Sequence, residues 1–233
     1  MFIALQQTAK VATEIAEELV SEEKTLSVIE LIKNAGIGGQ VIILILVIML
    51  AVALFIYFER ISAIKAASKM DSNFMNQIKD HVSNGKIEAA KVLCAQTKSP
   101  AARLIEKGIS RIGKPLEDIN KAIENAGSLE IYKLEKNVSV LATVAGAAPM
   151  IGFLGTVIGM ILAFHEMATS GGQAEMGSLA GGIYTAMTTT VAGLIVGIIA
   201  YIAYNHLVVK TNKIVHLMEA KSIEFLDLLN EPV

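Results

Sequence analysis

Hydroxyl groups set among glycines are the residues of this sequence best placed to do chemistry. Thr185, Thr188, Thr189 and Thr190 crowd a short run of the apolar stretch Met176–Asn205. Thr156 stands one residue after Gly155 and three before Gly159 in a second apolar stretch, Val138–Phe164. A lone Thr in an apolar helix normally bonds the carbonyl four residues back. So many together cannot all face lipid, so Thr156 and the Thr189/Thr190 pair are expected to face water or another helix. Neither stretch contains Asp, Glu, Lys, Arg or His. Ion and proton routes normally need ionisable groups at depth. Either this chain moves no ions, or a second subunit brings the titrating group and the hydroxyls only line its route.

The elements that position these hydroxyls are membrane helices. The chain has 233 residues, is 53% hydrophobic and 18% charged, and carries a formal charge of -2. Val41–Phe58 is an unbroken apolar run, long enough to cross a hydrocarbon core of about 30 Å. With the two stretches above it makes three spans. Lipid offers no hydrophobic reward for helix association, so small residues must supply close packing. Gly152, Gly155, Gly159, Gly193 and Gly197 are therefore expected to pack subunits together, and Pro149 to kink its helix.

Most of the twenty Lys and Arg fall in Glu59–Asn137, and the link His165–Glu175 has none. The positive-inside rule then puts the N-terminus outside, the large loop inside, the short loop outside and the C-terminus inside. No secretory leader is expected, since Met1–Lys10 lacks a basic start followed by an apolar core. Cys94 is the single cysteine, so no intrachain disulfide forms, and it has no assigned role.

These signals divide the chain into seven parts. Residues 1–36 form periplasmic amphipathic helices, with Val11, Ile15 and Leu19 on one face and Ser27 to Glu30 fitting a capping box. Residues 37–58, 138–164 and 178–205 are the transmembrane helices. Residues 59–137 form a cytoplasmic helical domain, 165–177 a short periplasmic loop and 206–233 a cytoplasmic C-terminal helix. Within the cytoplasmic domain a helix is expected from Glu59 to about Val82, then a turn at Ser83-Asn84-Gly85. A helix over Lys86–Gln96 follows, then another opened by Ser99-Pro100 and closed by Gly113-Lys114-Pro115. From Leu116 one long helix is expected to run on into the membrane. The third span also continues, with an apolar stripe through Ile214, Met218, Phe225 and Leu229. These stripes need partners, and other copies of the chain are the simplest source.

Other motifs carry little. His165-Glu166 lacks the second His of a zinc-protease signature, and no glycine run has nucleotide-loop spacing. Asn137-Val-Ser139 matches a glycosylation sequon but sits at the inner membrane face. The basic loop has no aromatic interleaving, so nucleic-acid binding is not expected. No catalytic constellation, cofactor site or metal site stands out.

Ala148-Pro149-Met150-Ile151-Gly152-Phe153-Leu154-Gly155-Thr156-Val157-Ile158-Gly159 closely resembles the signature of the MotA/TolQ/ExbB family, A-P-L-L-G-L-L-G-T-V-x-G. Gly182 to Leu194 resembles the family's third-span pattern G-I-x-E-A-L-x-x-T-x-x-G-L, and Tyr204-Asn205 matches its exit. Three spans and a large loop fit the ExbB/TolQ branch. The resemblance implies an all-α homopentamer in the bacterial inner membrane, around a central pore. Two copies of a single-span ExbD/TolR-like partner would sit in that pore and carry a membrane Asp. The proton-motive force would then drive a TonB-like or TolA-like protein, so the chain would be a channel and motor subunit and not an enzyme. Thr156 and Thr190 match pore-facing threonines of the family, and Thr189 adds a hydroxyl beside them. Two positions depart from the pattern. The family's third-span Glu falls at Thr185, and the Pro near its exit falls at Ile199. The first leaves all titration to the partner, and the second implies a straighter helix.

Overall fold

The computed structural model describes residues 37–68, 70–169 and 176–230. The expected N-terminal helices, the capping box at Ser27, residues 170–175 of the short loop after the second span and the last three residues lie outside these. The described residues form seven α-helices and no strand. They are α1 (Ile37–Ala67), α2 (Phe74–Ser83), α3 (Ile87–Gln96), α4 (Pro100–Ile109), α5 (Leu116–Glu135), α6 (Val138–Thr169) and α7 (Met176–Asn230). Three helical segments are long and apolar enough to cross a membrane: Gly38–Ala67, Val138–Thr169 and Leu179–Asn230. Large apolar side chains on them stay exposed, among them Phe55, Met150, Ile161 and Ile202. In water that surface would drive aggregation; in lipid it is the solvated face.

The chain divides into two compact units. The first comprises Gly155–Thr189 and the described chain up to Ile43. Here α6 and α7 meet through small residues, and Ile42 and Ile43 of α1 are buried. The second comprises Leu44–Leu154 and the chain from Thr190 onward. Its core is conventional. Phe74, Ile78, Ile105, Ile109, Ile123, Leu141, Leu207, Met218 and Phe225 are all buried in one cluster.

Local signals explain the short helices of the second unit. Gly85 (φ 68°) and Gly113 (φ 92°) adopt the left-handed conformation that glycine enters without steric cost. Each ends a helix region where the sequence marks a turn. Pro100 opens α4, where its missing N–H is no loss. Ser99 does not cap with its side chain; its hydroxyl instead donates to the Ala67 carbonyl at 3.4 Å. That ties the start of α4 to the end of α1.

Three expectations change. The helix after the first span ends at Ala67, and α2 begins separately at Phe74. The helix from Leu116 is not continuous into the membrane: Lys136 turns extended and Asn137 takes φ 63°, separating α5 from α6. Asn is among the few residues that tolerate this left-handed conformation. Arg60 of α1 also supports the break, since its Nη1 donates to the Lys133 carbonyl at 3.2 Å. That carbonyl lies in the last turn of α5, where intrahelical donors run out. Finally, the stripe of Ile214, Met218 and Phe225 does not await another copy. It is buried within the chain: Met218 and Phe225 lie against α4 and α5, and Ile214 faces Ile61 and Ile64 of α1.

A buried charge cluster holds α4 to α5. Glu130 is 4% exposed and accepts a hydrogen bond from Lys133 Nζ at 2.8 Å and another from the Arg103 guanidinium. Burial pushes its carboxyl pKa up, but the Arg103 and Lys133 hydrogen bonds and charges outweigh that and hold it below the usual carboxylate range. The folded value therefore lies under the unfolded one. The stabilisation is present at neutral pH and fades as pH falls below about 4. Glu130→Gln is expected to cost about 1–3 kcal/mol at pH 7 and to flatten the acid loss of stability. Thermal denaturation from about pH 7 down to about pH 2 checks both; an unchanged acid dependence would remove Glu130 from the account. Cys94 is on the buried face of α3, and burial, reinforced by the charge of Glu106, pushes its thiol up to about 12. A thiol so rarely ionised is a packing group and not a nucleophile.

Candidate functional site

The hydroxyls are positioned by how closely α6 approaches α7. In the first unit, a Cβ placed on Gly155 would lie 2.4 Å from Thr189 Oγ1 and 2.7 Å from its Cβ. A Cβ on Gly159 would lie 3.0 Å from Ala186 Cβ, and one on Gly182 would lie 2.7 Å from Ala163 Cβ. In the second unit, a Cβ on Gly193 would lie 2.6 Å from the Ala148 carbonyl oxygen and 2.8 Å from Gly152 Cα. One on Gly197 would lie 2.6 Å from Pro149 Cγ. The sequence reading assigned Gly152, Gly155, Gly159, Gly193 and Gly197 to contacts between subunits. Within the chain they already meet close neighbours across α6 and α7. Pro149 lies inside α6, which continues on both sides of it. Its ring sits in the notch that Gly197 leaves open.

Backbones this close let side-chain hydroxyls reach across. In the first unit Thr156 Oγ1 donates to the Ala186 carbonyl at 2.9 Å. Thr189 Oγ1 donates to the same carbonyl at 2.8 Å, from within α7. Thr188 takes the ordinary course and donates to the Tyr184 carbonyl four residues back, at 2.9 Å. In the second unit Thr190 Oγ1 donates across to the Gly152 carbonyl at 3.2 Å. Thr156, Thr185 and Thr190 keep part of their surface accessible. Thr189 is 0% exposed, enclosed where Gly155 makes room for it. It holds the two helices in register and presents nothing to water, although the sequence reading placed it on a wet route.

The chemistry follows from the donors. Thr156 and Thr190 have each committed their one proton to a carbonyl. A hydroxyl has lone pairs besides its proton. They can accept from water, from hydronium or from the protonated carboxyl of another chain, and they carry no charge that would trap an ion. One polar group escaped the sequence reading. The Tyr184 hydroxyl is buried with no hydrogen-bond partner among the described residues. A tyrosine one residue before Thr185, in a stretch otherwise made of small and apolar residues, was the available signal. Among the described residues no group of three or more His, Cys, Asp or Glu could hold a metal ion.

An all-α chain with three apolar spans, two of them sealed by glycine and cross-bonded by threonine, is a multi-span membrane protein of channel type. It belongs to the MotA/TolQ/ExbB proton channel family, whose family model matches residues 96–220. It is similar to the Tol-Pal system protein TolQ of Haemophilus influenzae, 32% identical over 81% of this chain and 87% of that one. The TolQ of Pseudomonas aeruginosa is 28% identical over 87% of this chain and 92% of its own. The biopolymer transport protein ExbB of Helicobacter pylori is 36% identical over 40% of this chain and 62% of its own.

Proposed function

We propose that this chain is the multi-span subunit of a proton-motive-force energiser in a bacterial inner membrane. Copies of it, five by the family resemblance, surround two single-span helices of an ExbD/TolR-like partner whose membrane Asp takes up and releases the proton. The motion drives a TolA-like or TonB-like protein, and the near full-length likeness to two TolQ proteins favours the Tol-type client. The basic loop faces the cytoplasm, and so does the C-terminus. The observation that carries this reading is a pair of tightly joined spans that hold partly exposed hydroxyls and no ionisable side chain. Such a wall can hydrate a partner's carboxyl without competing for its proton. Thr156, Thr190 and Thr185 line the route, and Thr189 fixes the spacing from behind.

Thr156→Val tests this. The two side chains are nearly isosteric, and an interhelical hydrogen bond in a membrane contributes about 0.6–1.7 kcal/mol. The complex should therefore still assemble, while partner-dependent proton uptake in reconstituted vesicles should fall at least ~10-fold, as expected for a lost polar contact on the route. Normal flux would remove Thr156 from it. Absence of partner-dependent flux in the unmutated complex under an imposed potential would favour a passive oligomeric scaffold instead.

A further inference from the structure

A basic cavity lies between α1 and α7, below the apolar part of both helices. Its volume is about 560 Å³. Lys65 of α1 and Lys210 and Lys213 of α7 line it, over a floor that includes Ile61, Ile64 and Ile214. No carboxylate lines it. None of the three lysines is in an ion pair among the described residues. All three are exposed.

Helical register fixes where the cavity sits. Tyr57 and Ile61 are four residues apart on α1, as are His206 and Lys210 on α7, so each pair shares a face. Tyr57 Oη and His206 Nδ1 are hydrogen-bonded at 3.1 Å. The lysines therefore follow this contact by one to two turns on the side away from the span. The apolar run of α1 ends at Phe58, and Lys65 lies about 10 Å further along the axis. The headgroup layer is roughly 5–8 Å deep, and lysine stems bend back toward it. Above the cavity, Phe55 and Phe58 of α1 and Ile202 and Val209 of α7 are exposed apolar side chains. The arrangement is positive at headgroup depth and greasy above; among the described residues the one carboxylate in contact with a lining residue is Glu219, 3.2 Å from His216 Nδ1.

We propose that this cavity is a binding site for an anionic phospholipid. Its phosphate sits among Lys65, Lys210 and Lys213, and its acyl chains lie along the exposed apolar flanks of α1 and α7. Lysines near a membrane surface are point charges that attract anionic lipid. Here three converge on one concave site, from two helices that only the folded chain brings together. The lipid bridges α1 to α7 below the Tyr57–His206 contact. The site is separate from the threonines of α6 and α7, so it stands whether or not the chain conducts protons.

The test uses the full chain purified in mild detergent, with phosphatidylglycerol, phosphatidylethanolamine or sodium phosphate added and retention read by native mass spectrometry. The unmutated chain is expected to retain phosphatidylglycerol and to lose phosphatidylethanolamine. Each lysine replaced by glutamine should weaken retention about fivefold, and the triple variant Lys65→Gln/Lys210→Gln/Lys213→Gln about 100-fold. The corresponding triple arginine variant should retain the lipid. These side chains are exposed, so melting temperature should not change, and the single variants serve if the triple variant accumulates poorly. Equal retention of phosphatidylglycerol by the glutamine variants would overturn the site. So would equal retention of phosphatidylethanolamine, or displacement of the lipid by millimolar sodium phosphate, which would mark a site for a soluble anion.

Discussion

Gly193→Ala is expected to destabilise the chain by about 3 kcal/mol, at the upper end of the usual cost of overpacking. The added methyl would enter the 2.6 Å between the position of a Cβ and the Ala148 carbonyl, and would lie 2.8 Å from Gly152 Cα. Those neighbours are backbone, so no rotamer change relieves the clash. The helices must separate, and the Thr190–Gly152 hydrogen bond of 3.2 Å stretches with them. Gly146→Ala is the control. A Cβ on Gly146 meets nothing within 4 Å, and alanine gains about 0.5–1 kcal/mol over glycine in a helix. Thermal denaturation of the purified full chain should rank Gly146→Ala at or above the unmutated protein and Gly193→Ala well below both. Equal melting temperatures for the two variants would show that α6 and α7 are not held where their glycines put them.

Phe225→Ala should cost about 3–5 kcal/mol, the range for emptying a buried aromatic site. Phe225 is 0% exposed and lies far along α7 from the apolar span. Its ring edge occupies the space over Gly108 of α4, where an added Cβ would come within 2.6 Å of Cε1. Removing the ring opens a void between α4, α5 and the end of α7. The spans depend on other contacts, so the chain should still insert in the membrane. Limited proteolysis should then cut the end of α7 faster than in the unmutated chain. Gly108→Ala should be harmful alone and milder in the Phe225→Ala background, because the two changes share one space. Unchanged protection of the α7 end would contradict this packing.

Much of the fold was legible because the relevant forces are local. The three spans follow from uninterrupted apolar composition. The turns at Gly85 and Gly113 and the start at Pro100 follow from backbone chemistry that a few residues encode. What escaped depends on distant partners. The break at Lys136–Asn137 sits in a run whose apolar spacing favours an unbroken helix. It is supported by Arg60, distant in sequence, which bonds the Lys133 carbonyl. The stripe through Ile214, Met218 and Phe225 showed that α7 needed a partner, but periodicity names the face and not its occupant. The threonines were legible as a set and not singly. Their composition marked Thr156, Thr189 and Thr190 alike, and only the seating of Thr189 against Gly155 separates an enclosed spacer from the partly accessible Thr156 and Thr190.

Asn137 also makes two of the spans mechanically unequal. The α5–α6 path has an elbow of a single residue in the left-handed conformation, whereas α7 is one uninterrupted helix from Met176 to Asn230. A twist or thrust applied to α6 relaxes by rotation about the two soft backbone bonds of the elbow. The same load on α7 has no such joint and reaches Phe225 and its neighbours as through a stiff shaft. A load on the spans would thus reach α4 and α5 through the far end of α7 and not through the elbow at Asn137.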